Sequence, residues 1–270
     1  MKLILITLAL VVATTFFVVL GTNHRRFLKD KASTIDSMTT RQPVIVELFT
    51  SEGCSSCPPA DALLKELSEL QPIPGADIIA LEEHVDYWDH LGWRDPYSSF
   101  TFTERQTDYS KAFGGDGVYT PQMVVDGESE FVGSRSREAR SVIQKAASQP
   151  KLLIELSAVP GSPADTAAFD VKVNRPAALG KGRELDLWIA ITETGLHTDV
   201  KSGENSGENL QHAAIVRILQ RAASLSGTND YHAQASLRVD PAWQRDNIRF
   251  VAFVAEKNSR KIVGAAITKL

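Results

Sequence analysis

The feature that most restricts how this chain can fold is Cys54-Ser55-Ser56-Cys57, set between two segments of opposite periodicity. Upstream, Val44–Phe49 (VIVELF) is a short apolar run rich in β-branched residues, the pattern of a buried strand. Downstream, apolar residues fall at Ala60, Leu63, Leu64, Leu67 and Leu70, a helical spacing with one buried face. Pro58-Pro59 suits a first helical turn, where backbone N–H groups have no partner. A residue before proline is pushed away from helical angles, so the helix is expected to begin at Pro58 or Pro59.

A strand-to-helix junction suits two thiols. A helix N-terminus presents unpaired N–H groups and a partial positive charge, both of which favour a thiolate. In disulfide exchange one thiolate attacks and a second thiol releases the mixed disulfide. Cys54 is the expected nucleophile, Cys57 the resolving thiol, and the two are the expected disulfide pair. These are the only cysteines, so a scaffold stapled by several disulfides is excluded. Two other readings stay open. Cys54, Cys57 and His84 are a candidate set for a soft metal such as copper, and a static disulfide in a non-catalytic binding module needs no chemistry at all. A structural zinc site wants four ligands, and no second Cys-x-x-Cys exists. No cofactor is called for.

The rest of the first half continues as strand and helix. Asp77–Val85 reads as a strand and Thr103–Ala112 as an exposed helix. Gln122–Val125 and Glu130–Val132 flank Asp126-Gly127, a strong hairpin signal, and Arg137–Ala147 is helical. The order β-α-β-α-β-β-α implies a mixed sheet between helices. Past Pro150 the character changes. Leu152–Leu156, Ala168–Val173, Glu184–Thr192, Ala233–Val239, Ile248–Ala255 and Ile262–Thr268 are strand-like, and Leu210–Ala223 reads as one helix among them. The expected class is therefore α/β over residues 42–150, followed by a mainly β, sandwich-like domain over 151–270.

Several polar and aromatic residues stand out. Glu47 is an acid inside a strand that should be buried on both faces, a costly placement without a task. His84, Asp86 and Trp88 form a polar and aromatic group at the carboxyl end of a strand, where ligands commonly meet α/β sheets. Phe49 and Tyr119 are placed to flank the cysteines, as a docking surface or as packing. Gly203-Glu204-Asn205 with His212 reads as an interface or capping group.

The run Glu47-Leu-Phe-Thr-Ser-Glu-Gly-Cys54-Ser-Ser-Cys57-Pro-Pro-Ala-Asp61 resembles a thioredoxin-like family of secreted bacterial proteins known as domain of unknown function 1223. The resemblance continues through His84-Val-Asp-Tyr-Trp-Asp89, Leu91-Gly-Trp93 and Gly117-Val-Tyr-Thr-Pro-Gln-Met-Val-Val-Asp-Gly127, then Gly203-Glu-Asn205 and His212-Ala-Ala-Ile-Val-Arg217. It implies a thioredoxin-like domain. By the wider resemblance to thioredoxins, the Thr120-Pro121 bond is expected to be cis, opposite the cysteines, exposing backbone for a substrate. The same resemblance implies a proton-transfer role for Glu47 beneath the resolving cysteine. Ser55-Ser56 replaces the thioredoxin Gly-Pro and leaves the reduction potential open.

Leu3–Thr22 is uncharged and long enough, at about 30 Å as a helix, to span a bilayer. It lacks the short core and small-x-small site of a cleaved signal, so a membrane anchor over residues 1–23 is favoured, with a tether over 24–41. Arg25, Arg26, Lys29 and Lys31 follow the span, and by the positive-inside rule alone they would keep the body cytosolic. A Cys-x-x-Cys oxidant suits an oxidising compartment, so a periplasmic location is expected. The expected partner is a protein or small thiol. A net charge of −4 with no dense Lys/Arg stripe argues against nucleic acid.

Overall fold

The structure is a computed structural model, and it describes residues 41–163, 165–174, 183–225 and 229–270. The expected span at 3–22 and the tether, apart from Arg41, lie outside the described residues. Among the described residues no helix is long and apolar enough to cross a membrane.

Strand β1 (Gln42–Thr50) leads through the cysteine loop into α1 (Pro58–Leu70), and β2 (Ala76–His84) follows. Next come α2 (Phe100–Ala112), the hairpin β3 (Gln122–Val125) and β4 (Ser129–Val132), and α3 (Ser136–Ala147). The remaining strands are β5 (Leu153–Ala158), β6 (Thr166–Asn174), β7 (Leu185–Thr194), β8 (His197–Asp199), β9 (Asn209–Gln211), β10 (Ala214–Leu225), β11 (Tyr231–Arg238), β12 (Ile248–Glu256) and β13 (Ile262–Lys269). Helix α1 begins at Pro58 with Cys57 at its N-cap, as the proline pair requires.

The class is mixed α/β, with one large sheet in the order β13-β12-β7-β10-β2-β1-β3-β4. Strands β1 and β2 are parallel, and β3 returns antiparallel to β1. The alternation of β1 divides its side chains. Val44, Val46 and Leu48 pack with Ala60, Leu64 and Leu67 of α1 and Ile143 of α3, whereas Ile45 and Phe49 pack with Phe102 and Tyr109 of α2. A second sheet, β11-β6-β5, covers the other half of the large one, where Phe169 meets Phe250 at 4.9 Å.

The two halves of the chain share the large sheet. Strand β10 lies beside β2, with Ile215 opposite Glu82, so the boundary expected near residue 150 falls within one compact unit, residues 41–270. The segment expected as a helix at 210–223 is strand instead. Ile215, Val216 and Ile218 favour strand, but β10 carries irregularities at Val216/Ile218 and Arg221/Ala223. Each resets the inside–outside alternation, so the apolar positions mimic helical spacing.

Asp126 and Gly127 both take positive φ, the geometry of the hairpin turn the sequence implies. Glycine is also required for space at Gly127, because a β-carbon there would meet the Arg260 carbonyl oxygen.

Candidate functional site

The loop after β1 is closed by its own backbone. The Cys54 N–H donates to the Ser51 carbonyl (3.1 Å) and the Cys57 N–H to the Cys54 carbonyl (3.1 Å). This turn brings the two Cα atoms to 5.5 Å, and the sulfurs form the Cys54–Cys57 disulfide. Cys54 therefore sits one turn ahead of the helix proper. The Thr120–Pro121 peptide is cis. It lies directly before β3, and the Thr120 hydroxyl donates to Cys54 Sγ at 3.4 Å. The indole N–H of Trp88 donates to that same hydroxyl at 2.9 Å, so Trp88 and Thr120 join the cysteine pair.

The sulfurs do not lie open. Cys54 and Cys57 are fully buried, while Ser55 and Ser56 between them are exposed. Part of the seal comes from the segment after β8. The Asn205 amide donates to the carbonyls of Glu52 (2.8 Å) and Cys54 (3.1 Å), and Glu204 Oε2 accepts the Ser55 N–H (3.1 Å). In the turn that delivers Asn205, Gly203 takes positive φ, and a β-carbon there would also press on Trp93, so both conformation and space favour glycine.

Next to this loop lies a buried chain of charges. His84 Nδ1 is 2.7 Å from Asp95 Oδ2, and its Nε2 is 3.3 Å from Glu82 Oε1. His212 Nδ1 is 2.9 Å from that same Glu82 oxygen, and its Nε2 is 3.1 Å from Glu52 Oε1. Glu82 Oε2 accepts the Ala213 N–H, the Glu52 N–H donates to Asp95, and the Trp93 indole donates to Glu52 Oε2. Burial works against charge here, but the pairing outweighs it. Glu82 is lowered to about 2 by the two histidines, and His212 is raised to about 9 by Glu52 and Glu82. His84 is held well above the ordinary histidine value by Asp95 and Glu82. Asp61, on α1 four residues past Cys57, accepts the Thr50 hydroxyl (2.6 Å). Burial, and then the Glu82 charge, push it up to about 7.

Two expected placements are corrected. The thiols are joined to each other and the donor atoms grouped with His84 are those of Glu82 and His212, so Cys54, Cys57 and His84 do not form a soft-metal set. Phe49 is fully buried against Tyr109 and offers no docking surface, because its strand position points it at α2. Asp86 accepts the Thr103 hydroxyl at 2.6 Å. Tyr119 remains partly exposed, its hydroxyl on Glu130. Glu47 is buried and paired with Arg105 Nε (2.5 Å) and the Tyr109 hydroxyl. It points to the α2 side, opposite the face that Leu48 and α1 share.

A family profile described as protein of unknown function, DUF1223, matches residues 45–255. The chain belongs to this family. Protein AGR_C_4864 from Agrobacterium tumefaciens is similar in structure, with a TM-score of 0.59 and 28% identity over 84% of this chain and 96% of its own. HBP35 of Porphyromonas gingivalis is similar in fold, with a TM-score of 0.61 and 15% identity over 85% of this chain and 76% of its own. Among curated proteins nothing matches.

For this DUF1223 chain, the sequence pointed to the cysteine pair, Thr120, Pro121 and Trp88 but gave no role to Glu52, Asp61, Glu82 and Asp95. The available signal was an acid at each of several positions in segments that otherwise read as buried. Glu82 and Glu83 inside DIIALEEHV carried the same warning as Glu47.

Proposed function

We propose that the protein carries out thiol–disulfide exchange through Cys54 and Cys57, as a thioredoxin-like domain in an oxidising, extracytoplasmic compartment. The observation that carries this reading is the Thr120 hydroxyl on Cys54 Sγ, at the loop that leads into β3. A partly exposed hydroxyl thus lies against the sulfur expected to react. In the exchange a substrate thiolate attacks Cys54 Sγ, and the Cys54–Cys57 bond breaks. Cys57 leaves as a thiolate and takes a proton. A second substrate thiolate then attacks the mixed disulfide, which releases Cys54 and leaves the substrate oxidised and the protein reduced. Asp61, on the same helix as Cys57 and able to change its protonation near neutrality, is the group best suited to supply that proton.

The reading makes one demand on the fold, which is access. Glu204 is a surface side chain, and its hydrogen bond to Ser55 fastens the exposed rim of the loop. A partner must displace this contact to reach Cys54. In glutathione buffers of graded potential, the folded protein is expected to pass reversibly between oxidised and reduced forms, followed by thiol labelling and mass. A pair that accepts electrons only after the protein is unfolded in denaturant would show a brace and not a redox centre.

A further inference from the structure

We infer that Glu82 Oε1, His84 Nε2 and His212 Nδ1 form a site for one divalent transition-metal ion of the zinc class. The inference is independent of the disulfide chemistry. These three donor atoms all lie within 4.8 Å of one another. Both ring nitrogens converge on the one Glu82 oxygen, at 3.3 Å from His84 and 2.9 Å from His212. Donors on a tetrahedral ion with bonds of about 2 Å stand roughly 3.3 Å apart, so an ion fits among them with small adjustments.

The surroundings carry the argument further than the three atoms do. A metal-bound imidazole nearly always gives its other nitrogen to a carboxylate, a carbonyl or water, which sets the ring's orientation. Here both rings have that support from carboxylates. Asp95 Oδ2 holds His84 Nδ1 at 2.7 Å, and Glu52 Oε1 holds His212 Nε2 at 3.1 Å. The second Glu82 oxygen is fixed by the Ala213 N–H, so this carboxylate too is aimed. The donors come from β2 and from the residue two before β10, strands locked side by side at Ile215 and Glu82. Their spacing is therefore a property of the sheet.

Two imidazoles and one carboxylate suit zinc and its neighbours. Magnesium and calcium prefer oxygen alone, and copper(I) prefers sulfur. All three residues are buried to within 2% of full burial, so the ion would be taken up with folding and hold β2, the β10 start and the Glu52 side of the cysteine loop together. On binding, the ring protons of His84 Nε2 and His212 Nδ1 leave to solvent.

The test uses the purified full-length chain with its disulfide intact, stripped by a chelator and then titrated with zinc(II) or cobalt(II). One equivalent should remain bound through gel filtration. The cobalt form should show visible d–d bands without a near-ultraviolet thiolate-to-cobalt band. The Cys54→Ser/Cys57→Ser double variant should keep that spectrum, whereas His212→Gln and Glu82→Gln should each reduce uptake at least tenfold. The unmodified protein's spectrum is decisive even if a variant fails to fold. Failure to retain either ion, a thiolate band, or full uptake by the folded His212→Gln protein would overturn the site.

Discussion

Glu47 and Glu83 occupy adjacent strands on the α2 side of the sheet, and Arg105 lies between them, 2.5 Å from the first and 3.5 Å from the second. The Arg105 guanidinium also stacks near Tyr109, Trp188 and Phe253, a largely apolar setting. The two acids are unequal. Glu47 has Arg105 and Tyr109, whereas burial, followed by the Glu47 charge, pushes Glu83 well above the ordinary carboxylate range. Removing one partner of a buried ion pair costs about 3–5 kcal/mol. Glu47→Gln is therefore expected to destabilise by about 3 kcal/mol in urea unfolding. Glu83→Gln should change stability by less than about 1 kcal/mol, because it removes little established pairing. A second residue-scale expectation concerns Asp61, whose folded value of about 7 lies above its ordinary 3.8. A raised acid adds stability that is complete below the ordinary value and is lost as pH rises through the folded value. Stability of the parent relative to Asp61→Asn should fall between about pH 4 and pH 7 and stay level above that, as read by urea midpoints across the range. The burial of Glu47 was legible in its strand, but the partners of Glu47, Glu83 and Asp61 were not, because elements elsewhere in the chain supply them.

At the scale of elements, the cysteine loop is held from outside its own strand and helix. Asn205 ties two of its carbonyls and Glu204 ties one of its N–H groups. Asn205→Ala leaves buried carbonyls without that donor and is expected to cost about 1–3 kcal/mol. It should also speed reduction of the disulfide by dithiothreitol severalfold, measured by stopped labelling; an unchanged rate would show that this segment does not control access. Local pattern sufficed for most elements. The Pro58-Pro59 pair placed the helix start, Asp126-Gly127 placed the hairpin, and alternation placed β6 and β11. It failed at β10, where two irregularities reset the period that separates strand from helix.

Across the whole molecule, the decisive fact is that β10 borders β2. Sequence composition marked a real change near residue 150 but carried no sign that the strands beyond it extend the first sheet, since strand pairing at that distance leaves no local trace. The buried charges make this junction specific: Glu82 on β2 accepts the Ala213 N–H and faces His212, both from the second half. Residues 41–150 alone would expose the β2 edge and leave Glu82 without these partners. That fragment is expected to lack the cooperative urea transition of residues 41–270, and a sharp transition in the fragment would show two independent domains. The central claim remains that Cys54 exchanges disulfides with a partner, and trapping tests it most directly. With Cys57→Ser in the native compartment, Cys54 should accumulate as mixed disulfides that reductant releases, while Cys54→Ser accumulates none. Recovery of Cys57→Ser wholly as free thiol, with no adduct on Cys54, would contradict the account.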